Sequence, residues 1–374
     1  MLDNLQRLSL EERDVRAVHF LQRSLLSKPW TLVRDLQLFS PAASWDSSPI
    51  HGARTCDLHK MCEIPLQEST PSSTKFSSIL LVLDSTADDL PEDIHSCWSS
   101  IVEKLEPEQT LLLLSRYFND MSEVIDKFGG IVIEFIGDAI YAVFGAPVRN
   151  REHAEAGVNA MLKMLKTVQR INQWAKHRLL PEVSIRCGVH SGTVQVGNMG
   201  FHSRLKCGVM GAGAEIPSKL EEMNKTYGTH NLISESTFHK LPPDGYVMRP
   251  IDFVDMSHGA DDPEPVYEVM SQIANSSSPS TRSSRRDTLA RKYETALDMY
   301  TEKRFAKAAA QFREVSTSMG QTFGIYDKPS VLMRKRAAYY MQHPPPEGWK
   351  GVWTRTREPD ETDGVEDEVV YVCV

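Results

Sequence analysis

The spacing of hydrophobic and polar positions changes repeatedly along the chain, and each change predicts a different element. Between residues 75 and 273, short runs rich in Val, Ile and Leu alternate with longer segments whose apolar residues recur every three or four positions. The short runs predict strands, and the longer segments predict amphipathic helices. Because the two kinds alternate throughout this region, we expect a sheet domain of the α/β or α+β class.

The most informative stretch of this domain runs from Gly129 to Pro147 and reads GGIVIEFIGDAIYAVFGAP. Two runs rich in Ile, Val, Phe and Tyr flank a corner at Gly137, which predicts a hairpin. Glu134 interrupts the first run, and Asp138 lies at the tip. A buried carboxylate is costly unless it is paired, hydrogen-bonded or bound to a metal, so both acids are candidates for chemistry. Simple exposure to solvent at a turn is the alternative for each.

Other parts of the domain give equally clear expectations. A continuous apolar run that ends at Asp84 predicts a buried central strand. Long helices are expected over 105–128 and 152–178. Residues 183–199 predict two strands around a turn at 190–192.

The segments outside the domain differ from it in composition. Before the domain we expect an N-terminal helical extension over 1–38 and a Ser/Pro/Thr-rich disordered linker over 39–74. After it we expect a Ser/Arg-rich linker over 274–288, a helical hairpin with a Pro/Trp-containing tail over 289–356, and an acidic mobile C-terminus over 357–374. The Ala-rich hairpin is similar to a tetratricopeptide repeat. A single hairpin is too small to stand alone, so it is expected to dock on the sheet domain.

Composition narrows the class of protein. Hydrophobic content of 41% and charged content of 25% are ordinary for a soluble globular chain. A net charge of −8 argues against a nucleic-acid partner. The six cysteines form no CxxC pair. Cys187 and Cys207 lie in or beside strand-like runs, so we expect buried small hydrophobes in a reducing compartment. No apolar run is long enough to cross a bilayer, and the first residues lack a secretory core, so we expect an intracellular, cytoplasmic protein without a transmembrane segment.

Four motifs follow one another in a recognisable order. They read FGGIVIEFIGDAIYAVFGAP, EHAEAGVNAML, VSIRCGVHSGTVQVGNMG and KCGVMGAGAEIPSKLEE. Residues 75–273 thereby resemble the catalytic domain of class III adenylyl and guanylyl cyclases. The resemblance implies an α+β sandwich with a ferredoxin-like core and flanking helices. It also implies conversion of ATP or GTP into a cyclic nucleotide at a dimer interface, with two Mg²⁺ or Mn²⁺ ions.

The resemblance assigns the metal and base positions. Asp138 matches one metal aspartate and Asp84 the other, with Asp93 as the alternative first ligand. Glu134 matches the position that selects the purine, where glutamate resembles the guanylyl enzymes. Its expected partner position falls on Gly208, which has no side chain to offer.

The transition-state positions depart from the family pattern. Glu215 stands where the family has asparagine, and Lys219 stands where it has arginine. The triphosphate-binding lysine falls on Ser257 or on His258. A second carboxylate repels a polyphosphate, and lysine does not reproduce the arginine fork.

Two hypotheses follow from this asymmetry. In the first, the chain is the metal-bearing subunit of a homo- or heterodimeric cyclase. In the second, it is a catalytically degenerate pseudocyclase that serves as a dimerisation or scaffold module. Two further residues near the motifs are not expected to be catalytic: Arg186 is expected in an ion pair or an interface, and His190 is expected to be a structural residue of the turn at 190–192.

Overall fold

A computed structural model describes five stretches of the chain. They are 75–86, 105–201, 204–256, 262–273 and 281–353, of which 75–86, 201, 204–205 and 281–283 are described by their backbone alone. The expected N-terminal extension, the first linker and the acidic C-terminus lie outside the described residues, as do Asp93 and Ser257.

Eight strands join in one mixed sheet within the described residues. They are β1 (Lys75–Thr86), β2 (Gly130–Ile136), β3 (Ala139–Phe144), β4 (Ser184–Phe201), β5 (Arg204–Met210), β6 (Asn231–Ser234), β7 (Tyr246–Val254) and β8 (Glu264–Gln272). The spatial order is β2-β3-β1-β4-β6-β8-β7, with β5 paired to β4. All neighbouring pairs are antiparallel except β4 and β6.

Helices separate the strands in chain order. They are α1 (Pro107–Lys127), α2 (His153–Lys176), α3 (Ile216–Tyr227), α4 (Glu235–Phe238), α5 (Thr281–Thr301), α6 (Phe305–Phe323) and α7 (Lys328–Gln342). For residues 105–112, at the start of α1, only the helix itself is described. The β1-α1-β2-β3-α2-β4 succession with the order β2-β3-β1-β4 is the ferredoxin-like arrangement, so the predicted α+β class is confirmed.

The region around His190 is one long strand, and the predicted turn at 190–192 is wrong. Leu80 pairs with His190 and Ser78 with Gly192, so the ladder with β1 continues straight through this segment. Gly192 is needed for space rather than for a turn, because a Cβ there would lie 2.7 Å from Nε2 of His190. Pairing with β1 outweighs the local turn propensity of the Ser-Gly sequence.

The described C-terminal region contains three helices, α5, α6 and α7. The first, α5, begins at Thr281, inside the expected linker. These helices share one buried core with the sheet, which includes Ile251 and Val266 from the strands and Tyr293, Phe312 and Met333 from the helices. The helices therefore pack on the sheet domain, as the sequence predicts.

Two buried ion pairs hold the helices against β7. Arg249 of β7 donates from Nη2 to Oδ1 of Asp327 at 2.7 Å, just before α7. Arg336 of α7 donates to Oδ2 of Asp252, which also accepts a hydrogen bond of 2.6 Å from Tyr227. Burial raises the pKa of the Asp252 carboxyl, and the Arg336 charge and the Tyr227 hydroxyl oppose that rise. Each buried charge is thus matched across the boundary between sheet and helices.

We expect Arg336→Met to destabilise the fold, because it leaves the Asp252 carboxylate buried without its cation. Loss of one partner of a buried pair costs about 3–5 kcal/mol. Arg304→Met, which removes an exposed pair with Glu302, is the control and should cost less than about 1 kcal/mol. Urea unfolding at pH 7 measures the free energy of unfolding of both variants. Equal losses would show that the buried pair contributes no more to stability than the exposed pair.

The same variant should respond to pH. Without Arg336 the pKa of Asp252 in the folded state rises further above its unfolded value, so the folded carboxyl takes up a proton more readily. Stability tied to a raised pKa is present at low pH and is lost as pH rises. The deficit of Arg336→Met relative to the natural chain should therefore shrink between pH 7 and pH 4.

Candidate active site

The backbone places the two metal-candidate acids at the same end of the sheet. Leu83 of β1 pairs with Ile140 of β3, and this is the last pair of their ladder. Asp84 follows Leu83 directly, while Asp138 lies in the hairpin turn just before β3 begins. The end of the central strand at Asp84 and the hairpin tip at Asp138 therefore lie at a common edge of the sheet.

The hairpin turn has the local chemistry that its geometry requires. Ile136 pairs with Ala139, so Gly137 and Asp138 form a two-residue connection. Gly137 has φ of 64°, a left-handed value that glycine adopts without strain. Glycine at the first position is typical of tight hairpin turns that match the twist of the strands, and it leaves the next residue at the tip.

The donor set suits a hard divalent cation. Carboxylate oxygens are preferred ligands of Mg²⁺, which is commonly held by one or two carboxylates with substrate phosphates and water completing the shell. Asp138 is half-buried. Among the side chains that the structure describes, no group of three or more His, Cys, Asp or Glu residues is arranged to hold an ion. Two aspartates that share an ion with substrate phosphates fit this pattern better than a closed protein site.

Arg186 occupies the position beside Asp84 in the ladder between β1 and β4. Its Nε donates to Oε1 of Glu221 on α3 at 2.7 Å, and both side chains are largely buried. The expectation that Arg186 forms an ion pair is confirmed. The pair ties α3 to the strand that neighbours Asp84.

Glu134 has a partner that sequence reasoning missed. Lys206 of β5 donates from Nζ to Oε1 of Glu134 at 2.8 Å, and 60% and 44% of the two side chains are exposed. The ladder of β2 and β3 shifts register between Val132 and Glu134, a bulge of the kind that redirects a side chain. The resemblance to the cyclase family points instead to Gly208 as the partner position, two residues further along β5.

The altered transition-state positions lie at the start of α3. Glu215 is the residue before the helix, is exposed, and makes no side-chain capping bond. Lys219 lies one turn later and donates from Nζ to the carbonyl oxygen of Met256 at 3.1 Å. The helix thus presents a carboxylate first and then a lysine that is hydrogen-bonded to the segment just after β7.

His190 supports the turn that leads into α3. Its Nδ1 lies 2.9 Å from Oγ of Ser234, and its Nε2 faces Gly213, where an added Cβ would be 2.9 Å away. Tyr141 of β3 holds the same turn by donating to the carbonyl oxygen of Ala214 at 3.1 Å. The histidine is structural, as expected, and it positions the residues that precede Glu215.

The pH dependence of stability tests this role of His190. Burial, with a smaller effect from Lys240, lowers the pKa of His190 to about 4. At pH values between the ordinary pKa of histidine and about 4, His190 is protonated in the unfolded chain but not in the folded chain. Stability is therefore lost as pH falls, by about 2 kcal/mol between pH 7 and pH 5.

The variant His190→Gln lacks this titration, so its stability deficit relative to the natural chain should narrow by that amount between pH 7 and pH 5. Urea unfolding of both proteins at the two pH values is the measurement. Parallel loss of stability in both proteins would show that His190 is not the group responsible.

The ferredoxin-like core places the backbone of Asp84 and the hairpin tip at Asp138 at one edge of its sheet. Residues 92–269 match the family described as the adenylate and guanylate cyclase catalytic domain, and this domain belongs to that class III family. The match begins after Asp84. It ends before α5, so the tetratricopeptide likeness of the C-terminal helices stays a prediction.

Two curated adenylate cyclases are also similar to this chain over part of its length. Adenylate cyclase 1 of Rhizobium meliloti is 37% identical over 142 residues, which are 38% of this chain and 21% of the relative. Adenylate cyclase of Anabaena cylindrica is 31% identical over 177 residues, 46% of this chain and 34% of the relative. The chain thus matches between a fifth and about a third of the length of these two proteins.

Solved cyclase structures are also similar. The adenylyl cyclase CyaB of P. aeruginosa shares 25% identity with a TM-score of 0.46, over 53% of this chain and 95% of that one. The guanylyl cyclase Cya2 shares 26% identity with a TM-score of 0.46, over 55% and 98%. Within the described residues, every helix is too short or too polar to span a bilayer.

Proposed function

We propose that this chain is an intracellular nucleotide cyclase that acts as the metal-bearing subunit of a dimer. It would convert a purine nucleoside triphosphate into its 3′,5′-cyclic monophosphate and pyrophosphate. The observation that carries the proposal is the strand register, which brings the backbone of Asp84 and the hairpin tip at Asp138 to one edge of the sheet. An acid at each of these positions is what a site for Mg²⁺ or Mn²⁺ requires.

The reaction explains why two carboxylates are needed. The ribose 3′-hydroxyl would release its proton to solvent water and its oxygen would form a bond to the α-phosphorus, while the bond from that phosphorus to the bridging oxygen breaks and pyrophosphate leaves with that oxygen. Bound divalent ions supply charge neutralisation and acidify the attacking hydroxyl. Asp84 and Asp138 would hold two such ions and orient the triphosphate for in-line attack.

The dimer is part of the proposal because the other half of the site is altered. Glu215 adds a negative charge near the phosphates, which opposes polyphosphate binding. Lys219 supplies one point charge in place of the planar fork that holds a phosphate oxygen pair. A partner cyclase domain with asparagine and arginine at these positions would complete the site, and homodimers would be weak.

A second candidate function rests on the contact of Lys219. Its ammonium group donates to the carbonyl of Met256, so it is already engaged within the chain. If a residue at a phosphate-binding position, such as Lys219, makes its contacts within the chain instead, the chain has the properties of a pseudocyclase. Such a protein would dimerise for regulation, with the C-terminal helices as the surface that binds another protein.

Asp138→Asn tests the metal site directly. We expect affinity for a nucleoside triphosphate in the presence of Mn²⁺ to fall by about tenfold or more, since even residues that only orient metal ligands contribute that much. Asp244→Asn, in an exposed turn before β7, is the control and should leave binding unchanged. Calorimetric titration with and without Mn²⁺ is the measurement, and binding that is indifferent to Asp138→Asn would refute the site.

A mixed-subunit assay separates the two candidate functions. The purified chain is assayed with ATP or GTP and Mn²⁺, alone and together with a cyclase domain that has asparagine and arginine at the positions of Glu215 and Lys219. Product formed only in the mixture, and abolished by Asp138→Asn in this chain, supports the metal-bearing subunit. Robust product from this chain alone would exclude the pseudocyclase, and no product in any mixture would favour it.

A further inference from the structure

The segment that follows α7 packs back onto the C-terminal helices. It covers residues 344–353, reads PPPEGWKGVW, and is called the strap below. The ring centroids of Trp349 and Tyr300 lie 5.3 Å apart, and an added Cβ on Gly351 would lie 3.1 Å from Cγ2 of Thr301, so the strap is close to the end of α5 at two points. Its tryptophans pack against the core that the helices share with the sheet.

Trp353 of the strap supplies one of two aromatic rings beside a buried cation. The guanidinium carbon of Arg336 lies 5.2 Å from the ring centroid of Trp353 and 5.7 Å from that of Tyr227. Arg336 and Tyr227 also donate hydrogen bonds to the same carboxylate oxygen of Asp252. A cation over an aromatic ring is stabilised by the ring quadrupole, and more strongly where water is excluded. The strap is therefore part of the environment that orients Arg336.

The contacts of Arg336 lead from the strap to α3. Tyr227 is the last residue of α3, and its hydroxyl donates to Asp252 of β7 at 2.6 Å. Near the start of the same helix, Lys219 donates to the carbonyl oxygen of Met256, just after β7. The helix is thus tied at both ends to one stretch of chain, and the tie at its C-terminal end includes the cation that the strap contacts.

The strap is attached less firmly than the core beneath it. Residues 346–348 and 350 are exposed, and two hydrogen bonds of the strap are internal, from N of Trp349 to the carbonyl of Pro346 and from Nε1 of Trp349 to that of Val352. Among the described residues, Nε1 of Trp353 is buried without a hydrogen-bond partner, a cost that exposure to water would relieve. A segment with an exposed backbone opens at a lower free energy than the core of its domain.

We propose that the strap is a regulatory element that sets the position of α3. While the strap is seated, Trp353 holds Arg336 against Asp252 and Tyr227, and the C-terminal end of α3 is fixed. When the strap lifts, Arg336 loses one of its two aromatic neighbours and water reaches the buried ion pair. The end of α3 then loosens.

This coupling connects the C-terminal surface with the candidate site. Glu215 directly precedes α3, and Lys219 lies within it, so a shift of the helix moves both. Coupling between two positions is reciprocal, and a change at α3 therefore alters how firmly the strap is seated. The inference concerns contacts within one chain, so it holds for a cyclase and for a pseudocyclase, and its failure would leave the proposed function untouched.

Hydrogen exchange of the full chain, read by mass spectrometry, tests the coupling. The N–H groups of Gly228 and Thr229 donate to the carbonyl of Asn224 and report on the end of α3. We expect Trp353→Leu to accelerate their exchange about tenfold, as loss of a desolvated cation–π contact would. Trp353→Phe keeps an aromatic ring over Arg336 and should stay within about threefold of the natural chain.

Trp174→Leu is the matched control. Trp174 of α2 also has cations over its ring, with the guanidinium carbons of Arg178 and Arg116 at 4.6 and 5.8 Å from its centroid. Its loss should leave exchange at 228–229 unchanged, because opening of the end of α3 does not break these contacts. Equal acceleration by Trp174→Leu and Trp353→Leu would show a general loss of stability and overturn the proposal, as would unchanged exchange at 228–229 in Trp353→Leu.

Gly351→Ala lifts the strap while every aromatic ring is kept. Gly351 has φ of 92°, which alanine adopts only with strain, and the added methyl group would crowd Thr301. We expect exchange of the strap amides at 347–353 to accelerate about tenfold, with a parallel rise at 228–229. Faster exchange in the strap alone would show that α3 does not respond to it, and the proposal would be overturned.

Discussion

The antiparallel ladder of β1 with β3 on one side and β4 on the other is the constraint on which the candidate site depends. The register of a strand is strongly specified, because a shift of one residue turns every side chain to the opposite face of the sheet. With Leu83 opposite Ile140 and Asp84 opposite Arg186, the end of β1 is fixed against the hairpin tip and against α3 at once. The geometry of the acids is thus decided by backbone pairing along the whole strand rather than by the acids themselves.

A second constraint comes from the charges buried between the sheet and the C-terminal helices. Arg249, Asp252, Asp327 and Arg336 are each almost fully buried, and each is matched with a partner of opposite charge across that boundary. A buried charge without its partner is far more costly than an apolar contact that is lost, so these pairs select one way of docking the helices. The C-terminal helices are therefore part of the folded domain, and α7 is linked through Tyr227 to the helix that bears Lys219.

Much of this architecture follows from local sequence patterns, and the exceptions have a common cause. The hairpin around Gly137, the long helices and the structural roles of Arg186 and His190 follow from periodicity, turn chemistry and motif resemblance. The straight course of β4 does not, because the ladder with β1 decides it. The contact of Glu134 with Lys206 joins residues 72 positions apart through a crossing of strands, and no local period encodes such a crossing. Within the site, sequence thus predicts which residue types are present better than it predicts which of them meet.

Burial separates the charged groups that hold this domain together from those that contribute little to its stability. Arg186 and Glu221 are paired at 2.7 Å with little exposure, so a ligand that competed for either would leave the other charge buried and unmatched. Glu134 and Lys206 form an equally short contact in water, where an ion pair contributes little and its partners can be exchanged at small cost. The buried pair is therefore the one that holds the fold, and the exposed pair contributes little to it.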